Sequence, residues 1–174
     1  MPNDISTDPI LWPVFQYWRN KCGARAIPRR RDIDPTEMPH AVLPHLQLVE
    51  LIDGGKRARF RLVGTKIVEA FGDEFTGKYI DEVFSGERLK FVEASYLLLC
   101  ESKRPVLVRR RFVIRSVPLN SYRLLLPLSE DGVTVDQCLG AVRFESSSHA
   151  RDWIGTFGTL SVIDLAASVR EVVA

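Results

Sequence analysis

Histidine and cysteine are the residues of this chain best suited to nucleophilic, acid–base or metal chemistry. Their spacing argues against all of these. Cys22, Cys100 and Cys138 stand far apart with no CxxC pair, so neither a zinc site nor a disulfide framework is expected. Each lies among apolar neighbours, where a small reduced core residue is the natural reading, and this fits a cytoplasmic location. His40 and His45 fall in or beside a proline-rich stretch, and His149 opens the C-terminal tail. Histidines in such places are ordinarily surface or turn residues. No GxSxG, HExxH, GxGxxG or phosphate-loop run occurs. Catalytic residues and metal ligands are therefore not expected.

Arginine is the other chemically suggestive residue. Arg29-Arg30-Arg31 and Arg109-Arg110-Arg111 are dense clusters in a chain whose net charge is only +2. Such a balance does not advertise nucleic acid or an anionic membrane. The arginines also lack the interleaved aromatics on which bases stack, so nucleic acid is not the expected partner. From Val106 to Val117 the pattern alternates. Val106, Val108, Phe112 and Ile114 take one face, and Arg109, Arg111 and Arg115 the other.

The elements that must carry these residues follow from length and pattern. With 174 residues, 45% hydrophobic and 26% charged, the composition is that of one globular domain. Apolar runs stop at about five residues where a membrane span needs about 20. The first residues lack the basic start and apolar stretch of a secretory signal. Residues 8–22 read as a helix, with Asp8 as its cap, Pro9 at its first position and Gly23 as its stop. Pro13 is awkward in it. Trp12, Phe15 and Trp18, with Tyr17, are a heavy aromatic load for one surface helix, and a homodimer contact through them is expected.

A basic, proline-rich connector follows to residue 44, with a helical turn expected from Asp34-Pro35 and Glu37. Leu46 to Ile52 and Ala58 to Val63 read as strands around the turn Asp53-Gly54-Gly55. In the second strand Phe60 and Leu62 are expected on one face, Arg59, Arg61 and Val63 on the other. Short helical pieces punctuated by glycine fill 64–86, and Glu87 to Ser102 is the longest helix. Three strands are expected next, broken by turns at Leu119-Asn120-Ser121 and Glu130-Asp131-Gly132, and then a helical tail from Leu160 to Ala174.

In order along the chain come Tyr17-Trp18, Asp32-Ile33-Asp34-Pro35, Leu43-Pro44, Arg61-Leu62-Val63-Gly64-Thr65, Phe71-Gly72 and Thr76-Gly77. This ordered series, from about Trp12 to Phe144, resembles the PAS domain, in particular a bacterial subgroup of small, nearly stand-alone PAS proteins. The resemblance implies an α+β fold: a five-stranded antiparallel sheet covered on one face by short helices, with N-terminal and C-terminal flanking helices. Residues 1–44 would be the N-terminal helix and connector, 45–146 the PAS core and 147–174 the C-terminal helical tail.

The resemblance also implies an interior that holds a small ligand in some members and only packed side chains in others. Phe71, Tyr96, Phe112, Tyr122 and Leu124 are the candidate pocket residues, plain core being the alternative for each. Neighbouring third and fourth strands would place Arg109, Arg111, Arg115 and Arg123 on one face. That face is either solvated or a docking face for an acidic protein partner. The function implied is a non-catalytic sensory or protein-interaction module in signal regulation, acting in trans on a signalling protein or through a homodimer. The alternative is a metabolite-binding protein or enzyme using the same interior.

Haem-binding members carry a histidine on the long helix and flavin photosensors a cysteine on a short one. Residues 87–102 contain no histidine and 64–86 no cysteine. No cofactor is expected, and the purified protein should be colourless. A stoichiometric visible absorption band would contradict this.

Overall fold

A computed structural model describes residues 5–114, 116–146 and 159–163. Helix α1 (Leu11–Cys22) leads through 3-10 turns to strands β1 (Leu46–Ile52) and β2 (Arg57–Val63). Helices α2 (Thr65–Phe71), α3 (Ile80–Val83) and α4 (Gly86–Ser102) follow. Strands β3 (Val106–Ile114), β4 (Val117–Leu128), β5 (Gln137–Ser146) and β6 (Thr159–Val162) complete the sheet. Its order is β2-β1-β5-β4-β3-β6, and every pairing is antiparallel.

The sheet thus has six strands where five were expected. Leu160–Val162, expected as the start of a helix, belong instead to an edge strand, Thr159–Val162, against Val106–Arg109. The segment Thr-Leu-Ser-Val alternates polar and apolar residues, a period-two pattern that the helical reading of the whole tail passed over. The remainder of that expected helix lies outside the described residues.

Both faces of the sheet are covered. On one, α2, α3 and α4 contribute Ile67, Ile80, Phe84, Val92, Tyr96 and Leu99 to a core with Val49, Phe60, Val106, Val108 and Val142. On the other, α1 and the connector bury Leu11, Val14, Phe15, Trp18, Ile33, Met38 and Val42 against Leu107, Leu124, Leu126 and Leu139. Phe15 and Trp18 are 0% and 1% exposed inside their own chain, while Trp12 is half-buried. This placement removes the reason for assigning Phe15 and Trp18 to a dimer contact: the aromatic load of α1 is absorbed by its own sheet.

Local chemistry explains the seams. Asp8 holds the turn that leads into α1, its Oδ1 accepting from the Ile10 and Leu11 amides at 2.9 and 2.8 Å, while the helix itself begins at Leu11 with Ile10 as its N-cap. Pro13 then falls in the first turn, where amides have no intrahelical partner to lose. Asp34 caps the expected turn by accepting from the Thr36 amide. Pro127 sits in a strand without breaking the ladder because β3 ends opposite Leu125 and leaves that side of β4 unpaired. The Trp18 indole Nε1–H donates instead to the Pro127 carbonyl at 2.9 Å, tying α1 to the sheet.

Two local readings change. Leu48 pairs with Leu62 and Val49 with Phe60, so Arg61 is an extra residue and the strand bulges there. A bulge shifts the alternation by one, which turns Leu62 outward (43% exposed) and Val63 inward. The turn expected at Leu119–Ser121 is part of continuous β4, since Ile114 pairs directly with Val117 beside Ser116 at φ 65°.

Gly64, where β2 hands over to α2, has no room for a side chain. A Cβ there would lie 2.2 Å from the Pro44 carbonyl oxygen and 2.9 Å from that of Leu46. Gly64→Ala is expected to destabilise the fold by at least about 1–3 kcal/mol, the ordinary cost of overpacking. Trp18→Phe should cost about 1–3 kcal/mol by stranding the Pro127 carbonyl. Urea denaturation checks both, and unchanged midpoints would contradict the two contacts.

Candidate functional site

Strand parity decides what faces the helices. In β3 and β4, Val108 pairs with Arg123 and Arg110 with Ser121, and all four side chains look toward α4. Between that sheet wall and the helices lies a cavity of about 50 Å³. Its apolar lining is Phe60, Ile67, Phe71, Phe75, Phe84, Phe91, Val92, Val142 and Phe144. Phe71 meets Phe75, Phe84 and Phe144 edge-on at centroid distances of 5.3, 6.0 and 5.9 Å. Edge-to-face contact is the arrangement that ring quadrupoles prefer.

The polar lining is Gln47, Arg88, Arg110, Ser121 and Arg123, with no carboxylate, histidine or cysteine among the described residues. The three arginines are half-buried. Arg88 lies 4.8 Å from the centroids of both Phe71 and Phe84. Arg110 covers Phe91 at 4.8 Å, and Arg123 covers Tyr96 at 5.4 Å. Such plates stabilise a cation over the ring face. Arg123 also donates to Ser95 Oγ at 2.6 Å, and that hydroxyl donates in turn to the Val92 carbonyl. Burial lowers the Arg110 guanidinium pKa, and the nearby Arg123 charge lowers it further. Burial does the same at Arg88, followed by the charge of Arg110.

Gln47 is 3% exposed and owes its place to Gly140, its partner on β5. A Cβ at Gly140 would fall 2.5 Å from Gln47 Cγ. Arg110 Nε is buried without a hydrogen-bond partner, and the buried Gln47 amide nitrogen and Tyr96 Oη face at most each other. Burial pushes the Tyr96 phenol far up, and Arg123 and Gln47 oppose this only in part.

Of the expected pocket residues, Phe71 lines the cavity. Tyr96 is buried in the same core directly beneath Arg123. Tyr122 and Leu124 are corrected: they belong to the opposite core, because they alternate with Ser121 and Arg123. Phe112 pairs with Leu119 through its backbone, and its side chain lies outside the description.

The expected single arginine face is corrected by the same parity. Arg109 pairs with Tyr122 on the α1 side, where it lines a separate concavity with Asp8 and Arg143, while Arg123 enters the cavity. Arg111 is exposed, and Arg115 lies outside the described residues. Arg110, Ser121, Arg88 and Gln47 were missed. The signal for Arg110 was available, since it stands two residues after Val108 in an alternating strand. Arg88 stands one turn before Val92 on the buried stripe of α4.

A helix–sheet cavity behind an antiparallel sheet is the geometry that the ordered sequence motifs implied, and residues 7–143 match the family model described as a PAS domain. The chain belongs to the PAS domain family. Among curated proteins and among solved structures, nothing matches it. As a PAS domain it is of a kind that is generally sensory. No helix among its described residues is long and apolar enough to cross a membrane.

The thiols of this PAS domain are held protonated. Burial pushes Cys22 and Cys100 up to about 11 and Cys138 up to about 12 from the ordinary 9.0. A thiol-reactive chromogenic disulfide at pH 8 should therefore modify all three rapidly only after unfolding, because the thiolate is the attacking form. The folded state retains these protons above pH 9, so stability should fall as pH rises from 9 toward 11. Rapid labelling of the native chain would contradict this.

Proposed function

We propose that this chain is a sensory module of signal regulation that binds one small ligand in the cavity between α4 and the sheet. The ligand shifts the chain between states that contact a signalling protein, or a second copy of the chain, differently. The observation that carries the reading is the convergence of polar groups on one small cavity. Gln47 comes from β1, Arg110 from β3, Ser121 and Arg123 from β4, and Arg88 from α4. A few oriented polar groups in an otherwise apolar recess are the usual composition of a ligand site.

The route outward is short. Arg123 on the cavity side is followed by Leu124 in the core beneath α1, and the Pro127 carbonyl of the same strand holds Trp18. A ligand that draws α4 toward the sheet changes the strands on which α1 rests. It does so only as far as it binds one arrangement better than the other. For an enzymatic use, the described lining offers the Ser121 hydroxyl but no histidine, carboxylate or cysteine to activate it or act as a general base.

Filling the cavity tests the reading. Val92, 5% exposed and on its wall, is replaced by Phe. Native mass spectrometry of the parent from its host should show one small molecule bound per chain, and Val92→Phe should lose it while remaining folded by circular dichroism. Loss of the ligand should also change which proteins, or how many copies, the chain binds. A parent that carries nothing and gains no thermal stability from any compound of a metabolite panel would contradict the proposal.

A further inference from the structure

The charges and donors around the cavity are one-sided. An arginine carries five N–H donors and no acceptor. Arg123 spends one of them on Ser95 Oγ. Arg110 reaches the Arg88 carbonyl only at 3.4 Å, and its Nε is buried with no partner. The rings of Phe91 and Tyr96, at 4.8 and 5.4 Å, meet these guanidinium groups as cation–π partners and leave most of their N–H donors without a protein acceptor. The buried Gln47 amide nitrogen on the same wall is a further donor, with only the Tyr96 hydroxyl facing it. Among the described residues, neither Arg110 nor Arg123 forms an ion pair, and no carboxylate lines the cavity. Two like charges so placed, half-buried and without a counter-charge among the described residues, favour a negative group that joins them.

We propose that the cavity takes a small organic anion whose carboxylate lies between the guanidinium groups of Arg110 and Arg123 and whose apolar end lies against the phenylalanine cluster around Phe71. This rests on the ligand-binding reading above and names its chemical class. A carboxylate supplies the missing acceptors and matches the planar fork of arginine. Size narrows the class. About 50 Å³, at roughly 10–15 Å³ for each water-sized position, accommodates only a handful of heavy atoms, as in a short-chain monocarboxylic acid. Inorganic phosphate has the charge, but it would set polar oxygens against Phe71, Phe84 and Phe91.

Calorimetric titration of the full chain with propionate, propionamide and inorganic phosphate tests this. Propionate should bind one per chain, at least about tenfold more tightly than the uncharged amide, as loss of charge-assisted hydrogen bonds implies. Arg110→Gln and Arg123→Gln should each weaken propionate by a similar factor and leave propionamide unchanged. Arg123→Lys, which keeps the charge without the fork, should fall between parent and Arg123→Gln. Equal binding of acid and amide, unaltered by either glutamine variant, would overturn the anionic assignment and leave the cavity a site for neutral ligands. Phosphate binding in preference to propionate would overturn its organic character. If none of the three binds and the native chain carries no small molecule, the ligand-binding reading itself fails. Circular dichroism identifies any variant that does not fold, and the remaining arginine variant then decides.

Discussion

Because helices cover both faces of this sheet, every buried strand residue faces one of two separate cores, and alternation along the strand decides which. Val106 and Val108 look toward α4, and Leu107 between them looks toward α1. A one-residue slip would exchange the two linings completely. The bulge at Arg61, the pairing of Ile114 with Val117 and the absence of a Cβ at Gly64 and Gly140 are the features that hold the phase. Each sets how β1, β2, β4 or β5 meets its neighbour, and so which side chains the helices receive.

Within that frame the α4 side is not a uniform hydrocarbon core. It carries guanidinium groups close over aromatic rings, a buried glutamine and a buried tyrosine hydroxyl. Filling the region with aliphatic side chains would be simpler, since a buried charge gains stability only where the geometry and partners are right. Aromatic plates and the Ser95 hydroxyl supply part of what Arg110 and Arg123 need. The remaining donors point to a group that arrives from outside, which is the usual logic of a preorganised site. The opposite side answers part of its charge internally, although Arg109 Nε there is also buried without a partner. Arg143 pairs with Asp8 at 2.6 Å and with Glu145, and it lies over the Tyr122 ring.

Much of the fold was legible in the residues. The turn-holding Asp8, the cap at Asp34, the Asp53-Gly54-Gly55 turn and the alternating strands are local signals, and the order of the PAS motifs joined them into an architecture. What failed was parity across distance. Tyr122 and Leu124 are expected in the pocket and Arg123 on the face of Arg109, an assignment that alternates correctly within β4; the register, which pairs Val108 with Arg123 and Arg109 with Tyr122, exchanges its two sides. Leu62 and Val63 exchanged faces because a bulge shows in the pairing of two strands and not in either one. The Leu119-Asn120-Ser121 stretch resembles a turn by composition, but pairing on both sides made it strand. Trp18 and Phe15 looked like an interface because a sequence does not say how much sheet a helix covers.

The arginine edges are where the account is most exposed to refutation. The direct measurement is the proton–nitrogen spectrum of the arginine Nε–H groups, assigned by Arg110→Lys and Arg123→Lys and recorded before and after a short carboxylate is added. The account predicts that the Arg110 Nε–H, buried and without a protein acceptor, moves saturably toward lower field as the anion binds and exchanges more slowly with water. Resonances of Arg110 and Arg123 that stay unmoved at saturating carboxylate would contradict it.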